Sequence, residues 1–464
     1  MDLEIGRHDG CSLRGKLRAF ISFVSFLTLL PAGLGAQATM PSAPAQAQVA
    51  AYGNGVQTPL LYAGESVPTN QLSLTMGVST FYDDNVLQTN AQRLRDEAIS
   101  FDSQLAVSRQ TDRLKLDFEY SPFYLLYRQV DQFDRLNHVA SLNAVLRLSS
   151  RINLGLHEGF SLLYQNGIFQ SAAGEPILSG LGPPTALNQT ITPYVTKTLS
   201  NASGLDLTFV KSGRTSLTLS GGYNRRTFGN QVIAGQQLPL YNSWGVSGGL
   251  EYQYRFTEHT GVGLLLVHQD STFRGGEVLG NVLRYQSESV FPSVGSRLSP
   301  TVTVTIFGGP QYVRIIGQAA GSTGVEGQFY PAGGGSITKE VRNTALDLSV
   351  QRTVTDGDGV FTVVKSTSLD FGARRQLRGR WEATVHIGAA RADASLFQLA
   401  SGTANALIGG LRLDRPLSGG ATLHASYETA HGTNGGALPF LANFDRNRVT
   451  IGVDYRFKAL PLGR

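Results

Sequence analysis

Cysteine is nearly absent: the 464 residues hold one, Cys11. It precedes the first apolar stretch, so the body of the chain has no disulfide framework and no cysteine-based metal site. Charge is scarce as well. Asp, Glu, Lys and Arg make up 16% of the chain, against about 25% in ordinary soluble domains. That composition does not suit a solvated, disordered chain. The net charge is only +5, and no Lys/Arg cluster supplies the basic stripe that nucleic-acid binding needs. After the N-terminal region no apolar run approaches the roughly 20 residues of a membrane-crossing helix. The eight His are dispersed without metal spacing, and neither a Gly-x-Ser-x-Gly elbow nor a Walker loop occurs. No catalytic residue, cofactor or metal site follows from the sequence. Glycine, in contrast, is abundant at 54 residues. Each would cost about 1 kcal/mol in a helix interior, which argues against a helical enzyme.

The N-terminus reads as an export leader. Arg7, Arg14, Lys16 and Arg18 precede the apolar stretch Ala19 to Leu30, which Pro31 and Gly33 break. Ala36-Gln37-Ala38 then offers the small-x-small pattern of a cleavage site, with Ala36 and Ala38 as its small residues. The alternative is an uncleaved anchor or a later cut. Residues 1–38 are therefore expected to be a signal peptide. Residues 39–70, rich in Ala, Gln and Pro, are expected to be a flexible segment before the folded body.

From Gln71 on, side chains alternate with period two. Leu114, Leu116, Phe118 and Tyr120 oppose Lys115, Asp117 and Glu119. Trp244, Val246, Leu250, Tyr252 and Tyr254 oppose Ser243, Ser247, Glu251, Gln253 and Arg255. Comparable alternation recurs near 72–82, 216–226, 345–351, 381–389 and 421–428. This is strand periodicity. The segments are longer than the ~5–6 residues of a sandwich strand and match a tilted strand crossing a bilayer. Their polar face is mostly Ser, Thr, Gly, Asn and Gln, which suits a watery interior.

Short polar connections alternate with long ones. Short turns are expected at 109–112, 149–150, 212–213, 257–258, 299–300, 340–342, 376–379 and 414–419. Long loops are expected at 83–97, 165–187, 227–241, 316–324, 394–401 and 432–445. Such alternation marks an up-and-down membrane barrel. The expected fold is all-β, a closed antiparallel transmembrane barrel of about 18 strands over 71–457, with a tail at 458–464. Sixteen strands is the alternative, because 190–211 contains Pro193 and 325–339 contains Pro331 and three consecutive glycines.

At the C-terminus Val449, Ile451, Val453, Tyr455 and Phe457 alternate with Thr450, Gly452, Asp454 and Arg456. This resembles the last-strand signal read by outer-membrane barrel assembly machinery, although Lys458–Arg464 follow it. The opening words Phe81-Tyr82-Asp83-Asp84-Asn85-Val86, Asp117 to Tyr127 (DFEYSPFYLLY) and Leu136-Asn137-His138 are similar to the first strands of an outer-membrane β-barrel porin family, the porin-2-like group of diderm bacteria. The resemblance spans roughly 72–457, with motif-like words in the first third. It implies an outer-membrane barrel and names no substrate.

The expected site is the barrel interior. Inward charges are expected at Lys115, Arg147, Arg226, Arg255, Arg374 and Arg456, and at Asp117, Glu119, Glu251, Asp347, Asp370, Glu382, Glu428 and Asp454. Arg or Lys on the lipid side would cost about 2–4 kcal/mol at mid-bilayer. Their signs are mixed, whereas strong selectivity comes from single-sign rings. Weak charge selectivity is expected of a passive pore for small polar solutes. A structural or binding barrel and a secreted soluble β-protein are the competing readings. Partners follow from the fold: outer-membrane lipid, the assembly machinery, and further copies of the chain if it oligomerises. Tyr120, Tyr124, Tyr127, Tyr252, Tyr254, Phe256, Tyr455 and Phe457 are expected at interfacial girdles. His157 and Glu158 are expected on opposite faces of one strand. Asp356-Gly357-Asp358-Gly359 opens like a calcium loop, but the twelfth position is Thr367 and the downstream acid is missing. It reads as a hairpin tip, and Asp83-Asp84-Asn85 as the opening of a loop.

Overall fold

A computed structural model describes residues 70–87, 90, 93–130, 134–164, 197–229, 232–233, 236–237, 241–274, 282–319, 322–356, 363–393, 402–434 and 443–462. Their alternating sequence forms antiparallel strands, each hydrogen-bonded to the next. The strands are β1 (Gln71–Asp83), β2 (Asp96–Gln110), β3 (Leu114–Tyr120 continuing as Phe123–Tyr127), β4 (Arg135–Arg147), β5 (Ile152–Leu163) and β6 (Thr198–Ser212). They continue as β7 (Thr215–Phe228), β8 (Asn242–Arg255), β9 (Thr260–Arg274), β10 (Val282–Ser299), β11 (Val302–Ala319) and β12 (Ser322–Val341). The last six are β13 (Thr344–Asp356), β14 (Val363–Gln376), β15 (Glu382–Asp393), β16 (Thr403–Pro416), β17 (Ala421–Asn434) and β18 (Phe444–Arg456). β18 pairs with β1, Val453 opposite Val78, which closes the sheet into an 18-stranded barrel. Leu460–Pro461 prolong this seam along Leu72 and Gln71. Among the described residues no helix is long and apolar enough to cross a membrane.

Proline accounts for the local breaks. β3 is interrupted at Ser121–Pro122, because Pro122 has no N–H to donate. Its register against β2 is nevertheless kept, Tyr120 opposite Leu105 and Phe123 opposite Asp102. The ladder between β10 and β11 skips from Ser289–Gln311 to Ser293–Phe307, around Pro292 and Pro310. Pro331 does not end its strand. It lies opposite Pro310, and β12 runs unbroken from Ser322 to Val341. The loop expected over 316–324 is therefore mostly strand. The segment expected from 190 begins in the described residues at Thr198, while 165–187, 394–401 and Gly357–Gly359 lie outside them.

Five of the short turns share one device. The hydroxyls of Thr111, Ser149, Ser212, Thr257 and Ser299 accept from backbone N–H groups of Leu114 (3.0 Å), Ile152 (3.1 Å), Arg214 (3.2 Å), Thr260 (2.9 Å) and Thr301 (3.3 Å). A Ser or Thr hydroxyl stands in for the missing ladder acceptor, which is why these residues favour turns.

Alternation gives the barrel two unlike faces. Val78, Trp244, Val262, Leu264, Val290, Ile306, Leu407, Ile451 and Val453 lie exposed on one face. Their neighbours Ser216, Ser271, Ser287, Gln253 and Gln311 on the other face are buried. A convex surface exposes its side chains and a concave one shelters them, so the apolar face is outside and the polar face inside. On β10 the outer band extends from Leu298 through Val294 and Pro292 to Val290, with Ser296 as its one hydroxyl. At about 3.4 Å per residue and a tilt near 40° that is roughly 20 Å of height. Glu158 is a charged residue on this outer face, among Leu154, Leu156, Phe160 and Leu162, and it accepts a hydrogen bond from Asn201. His157, as expected, faces the other way.

Toward the long-connection end the polarity reverses. The outer face there carries His268, Asp270, Arg284, Gln286, Glu288 and Arg314. Arg284 and Asp270 form an ion pair, and Gln286 donates to the same carboxylate at 3.0 Å. On the inner face at that height Phe273, Leu283, Tyr285, Val313 and Ile315 are packed together and buried. A second inner cluster joins Phe81, Val86, Ala98, Leu125, Tyr127 and Val130. Tyr127 thus faces inward, its ring edge-on to Phe81 at 5.8 Å, and does not join an interfacial girdle. Its parity puts it with Phe123 and Leu125, whereas Tyr120 and Tyr124 take the outer face.

Candidate functional site: the barrel interior

Register carries each expected charge to a definite face, because paired residues of an antiparallel ladder point the same way. Gly77 on β1 lies opposite Asp454, and Thr75 opposite Arg456. Across β2 and β3, Gln110, Ser108 and Ala106 meet Lys115, Asp117 and Glu119. Arg147 pairs with Asn153, Arg226 with Ser243, and Glu251 with Thr218. Arg255 shares the parity of Glu251. Asp347 lies between Thr338 and Gly372, Asp370 between Ser349 and Gly388, and Arg374 opposite Thr384. Glu382 meets Asp414, and Glu428 lies between Gly410 and Arg448. All fourteen residues fall on the inner face.

Glycines make room for some of them. A Cβ at Gly77 or Gly372 would collide with the carboxylates of Asp454 and Asp347 respectively. A carboxylate can therefore lean across its neighbouring strand instead of filling the bore.

The structure brings several of these charges into local pairs. Asp117 accepts from Ser108 at 2.8 Å and lies 3.7 Å from Lys115. Glu119 accepts from Gln104 at 2.7 Å and from Ser121 at 3.1 Å. Glu251 accepts from Gln253 at 2.7 Å. Asp454 is 3.0 Å from His424 Nδ1 and 3.7 Å from Arg412, whose other partner is Asp414 at 2.9 Å. Asp370 lies 3.7 Å from His386. Among the described residues Arg147, Arg374 and Arg456 form no ion pair.

Other inner groups were not anticipated. His157 is held between Asn143 (2.9 Å) and Asp206 (2.8 Å). At the long-connection end Asp83, fully buried, receives Arg446 in a forked hydrogen bond, with Arg448 at 4.0 Å. The Arg448 guanidinium sits 3.8 Å over the Phe81 ring. Next to it the Asp84 carboxylate accepts from Asn447 through its backbone N–H (2.7 Å) and its side chain (2.8 Å). Asn85 donates to the carbonyl of Asp445 at 2.8 Å. The Asp83-Asp84-Asn85 word therefore ties the first strand to the last. Period-two reading of β18 would have found Arg446 and Arg448, which share the parity of Asp454 and Arg456. Their partner Asp83 is 363 residues from Arg446 and leaves no local signal.

The charges are unevenly spread around the wall. β9 and β11 place none on the inner face; their inner residues include Leu265, Val267, Gln269, Ser271 and Phe273, and Thr303, Thr305, Phe307, Gln311 and Val313. Phe291 and Phe307 meet edge-to-face at 5.9 Å within this neutral arc. Among the described residues no arrangement in the interior has the converging nucleophile, base and oriented partner of a catalytic centre.

No protein-family model matches the chain, and no curated protein matches it in sequence. Among solved structures it is similar to OccAB4 of Acinetobacter baumannii, at 12% identity, covering 84% of this chain and 99% of that one with a TM-score of 0.40. It is similar to OpdO of Pseudomonas aeruginosa at 14% identity, covering 85% and 98%, TM-score 0.43. The ferric citrate transporter FecA is similar at 8% identity, covering 85% and 79%, TM-score 0.46.

Proposed function

We propose that the chain is an outer-membrane pore, a passive water-filled conduit for small polar solutes. The observation that carries this reading is the pairing of an exposed apolar outer band with an inner face of hydroxyls, amides and charges. Such a surface is stable only with lipid outside and water inside, and barrels of 16–18 strands leave an aqueous channel. The fourteen inner charges then line the water path. Their mixed signs and local pairing support weak charge selectivity. A cleaved leader over 1–38 fits export, and the β18 pattern fits recognition by barrel assembly machinery. Single-channel recording of the refolded protein in planar bilayers tests the pore. Stepwise conductance with a small reversal potential in a salt gradient is expected. An intact barrel that never conducts would overturn it.

One observation favours a second reading, a binding or structural barrel. The inner face at the long-connection end carries apolar clusters beside the buried Asp83–Arg446 pair, and Val86, Leu87 and Leu94 between β1 and β2 pack into one of them. A mouth lined in this way suits a ligand or partner as well as a solute path. Deleting 165–187 separates the two readings: lost binding with unchanged conductance supports the second.

A further inference from the structure

We propose that Gln311 is a positioning residue that holds the outer ends of β13 and β14 inside the bore, as a constriction built from the wall itself. Its consequence for conduction rests on the pore reading; the clamp itself does not.

The wall divides at one place. β13 pairs with β12 only between Gly333–Val341 and Thr344–Arg352. Beyond that point β12 continues to Ser322 against β11. β13 continues to Asp356 against β14, down to Val363. Glycine permits the close approach at the division: a Cβ at Gly333 would lie 2.7 Å from both the Gly308 Cα and the Phe307 carbonyl oxygen.

Past the division, β13 bonds to the inner wall instead of to β12. The Val354 N–H donates to Gln311 Oε1 at 2.9 Å, and Gln311 Nε2 donates to the Val354 carbonyl at 2.9 Å. Tyr285 donates to the same carbonyl at 3.0 Å, and the Thr353 hydroxyl to Gln311 Oε1 at 3.3 Å. A primary amide has the donor and acceptor of a peptide group. Gln311 therefore supplies the rung that β12 does not. Gln311 and Tyr285 both point into the barrel, so the segment they hold lies within it.

Packing agrees with this placement. Val354 and Val363 are buried against Phe273, Leu283, Tyr285, Val313 and Ile315 of the inner wall. Lys365, opposite Val354, sits 4.8 Å over the Tyr330 ring. The hairpin face that would look outward in a simple barrel is pressed onto the neutral arc. The bore is narrowed there by a second layer of strand.

The test uses the whole protein, whose cysteine lies in the leader, carrying Val363→Cys as a reporter. Val363 is 2% exposed, so a water-soluble maleimide should label it slowly. Adding Gln311→Leu keeps the side-chain volume and removes both amide bonds. Loss of one buried amide pair corresponds to about a tenfold shift in the held-to-released equilibrium. Labelling should accelerate about tenfold, and single-channel conductance should rise. Tyr285→Phe, which removes one hydroxyl, should accelerate labelling less, and it decides the matter if Gln311→Leu fails to assemble. Unchanged labelling with heat-modifiable gel mobility intact overturns the clamp. Faster labelling in a barrel that never conducts keeps the clamp and removes the pore reading.

Discussion

Two heights of the same strands obey opposite rules. On β9 and β10 the outer face reads Leu264, Leu266, Val290 and Val294 in one stretch, then His268, Asp270, Arg284 and Glu288 in the next. The inner face mixes small polar and apolar residues at the first height, Ser293 and Gly263 beside Leu265 and Phe291, and gathers Tyr285 and Phe273 into a buried cluster at the second. The backbone and its pairing do not change. What changes is the medium: a strand wall in lipid must show lipid its apolar side, whereas a wall projecting into water packs its apolar residues inward like a sandwich. The crossover marks the edge of the hydrocarbon layer on the protein's own surface.

The largest effect is expected where the projecting part is closed by a buried ion pair. Arg446→Ala leaves Asp83 charged and buried with only Arg448, 4.0 Å away, as a cationic partner, which costs up to about 3–5 kcal/mol. Equilibrium unfolding in urea, from lipid vesicles, should show the loss. Asp83→Asn combined with Arg446→Leu should recover a good part of it, because no charge is then stranded. Equal stability of Arg446→Ala and the parent would mean that the seam is held elsewhere.

A sharper attack on the comparison places one substitution at both heights. Leu264→Arg, outward in the apolar band, should destabilise the barrel by about 2–4 kcal/mol. Gln286→Arg, also outward but beyond the crossover, should cost no more than about 1 kcal/mol. Similar costs at the two positions would remove the crossover from this part of the wall. On the inner side, Val313→Thr puts a hydroxyl among Phe273, Leu283 and Tyr285 and should cost about 1–3 kcal/mol.

How much of this the sequence discloses depends on the range of the interaction. Period-two alternation is local, so the strands and the inward direction of Lys115, Asp117, Glu251 or Asp454 could be read directly. Position at a strand end points Tyr127 to the girdle, where such aromatics usually lie. It turned inward because its strand had already passed the height at which the faces exchange roles. The 316–324 stretch reads as a loop from its small residues, but strand pairing runs into it as far as Ala319 opposite Ser322. The Asp83–Arg446 seam and the Gln311–Val354 clamp join distant residues through barrel closure and through the split of β12 from β13. Neither leaves a pattern within a window of sequence.

The smallest expected effect on stability lies on the inner face beside the short turn at 111–114. Lys115 and Asp117 are 3.7 Å apart, with side chains 59% and 45% exposed, so water screens the pair and its contribution is below about 1 kcal/mol. Lys115→Gln should leave urea unfolding unchanged. It does remove one cation from a wall whose other charges stay in place. The reversal potential in a salt gradient should then move slightly toward cation preference, and Asp117→Asn should move it by a similar amount the other way. A strong shift from either substitution would mean that the path runs close to this pair and that the mixed charges do not average out. No shift from either would place the path away from β3, toward the uncharged inner faces of β9 and β11.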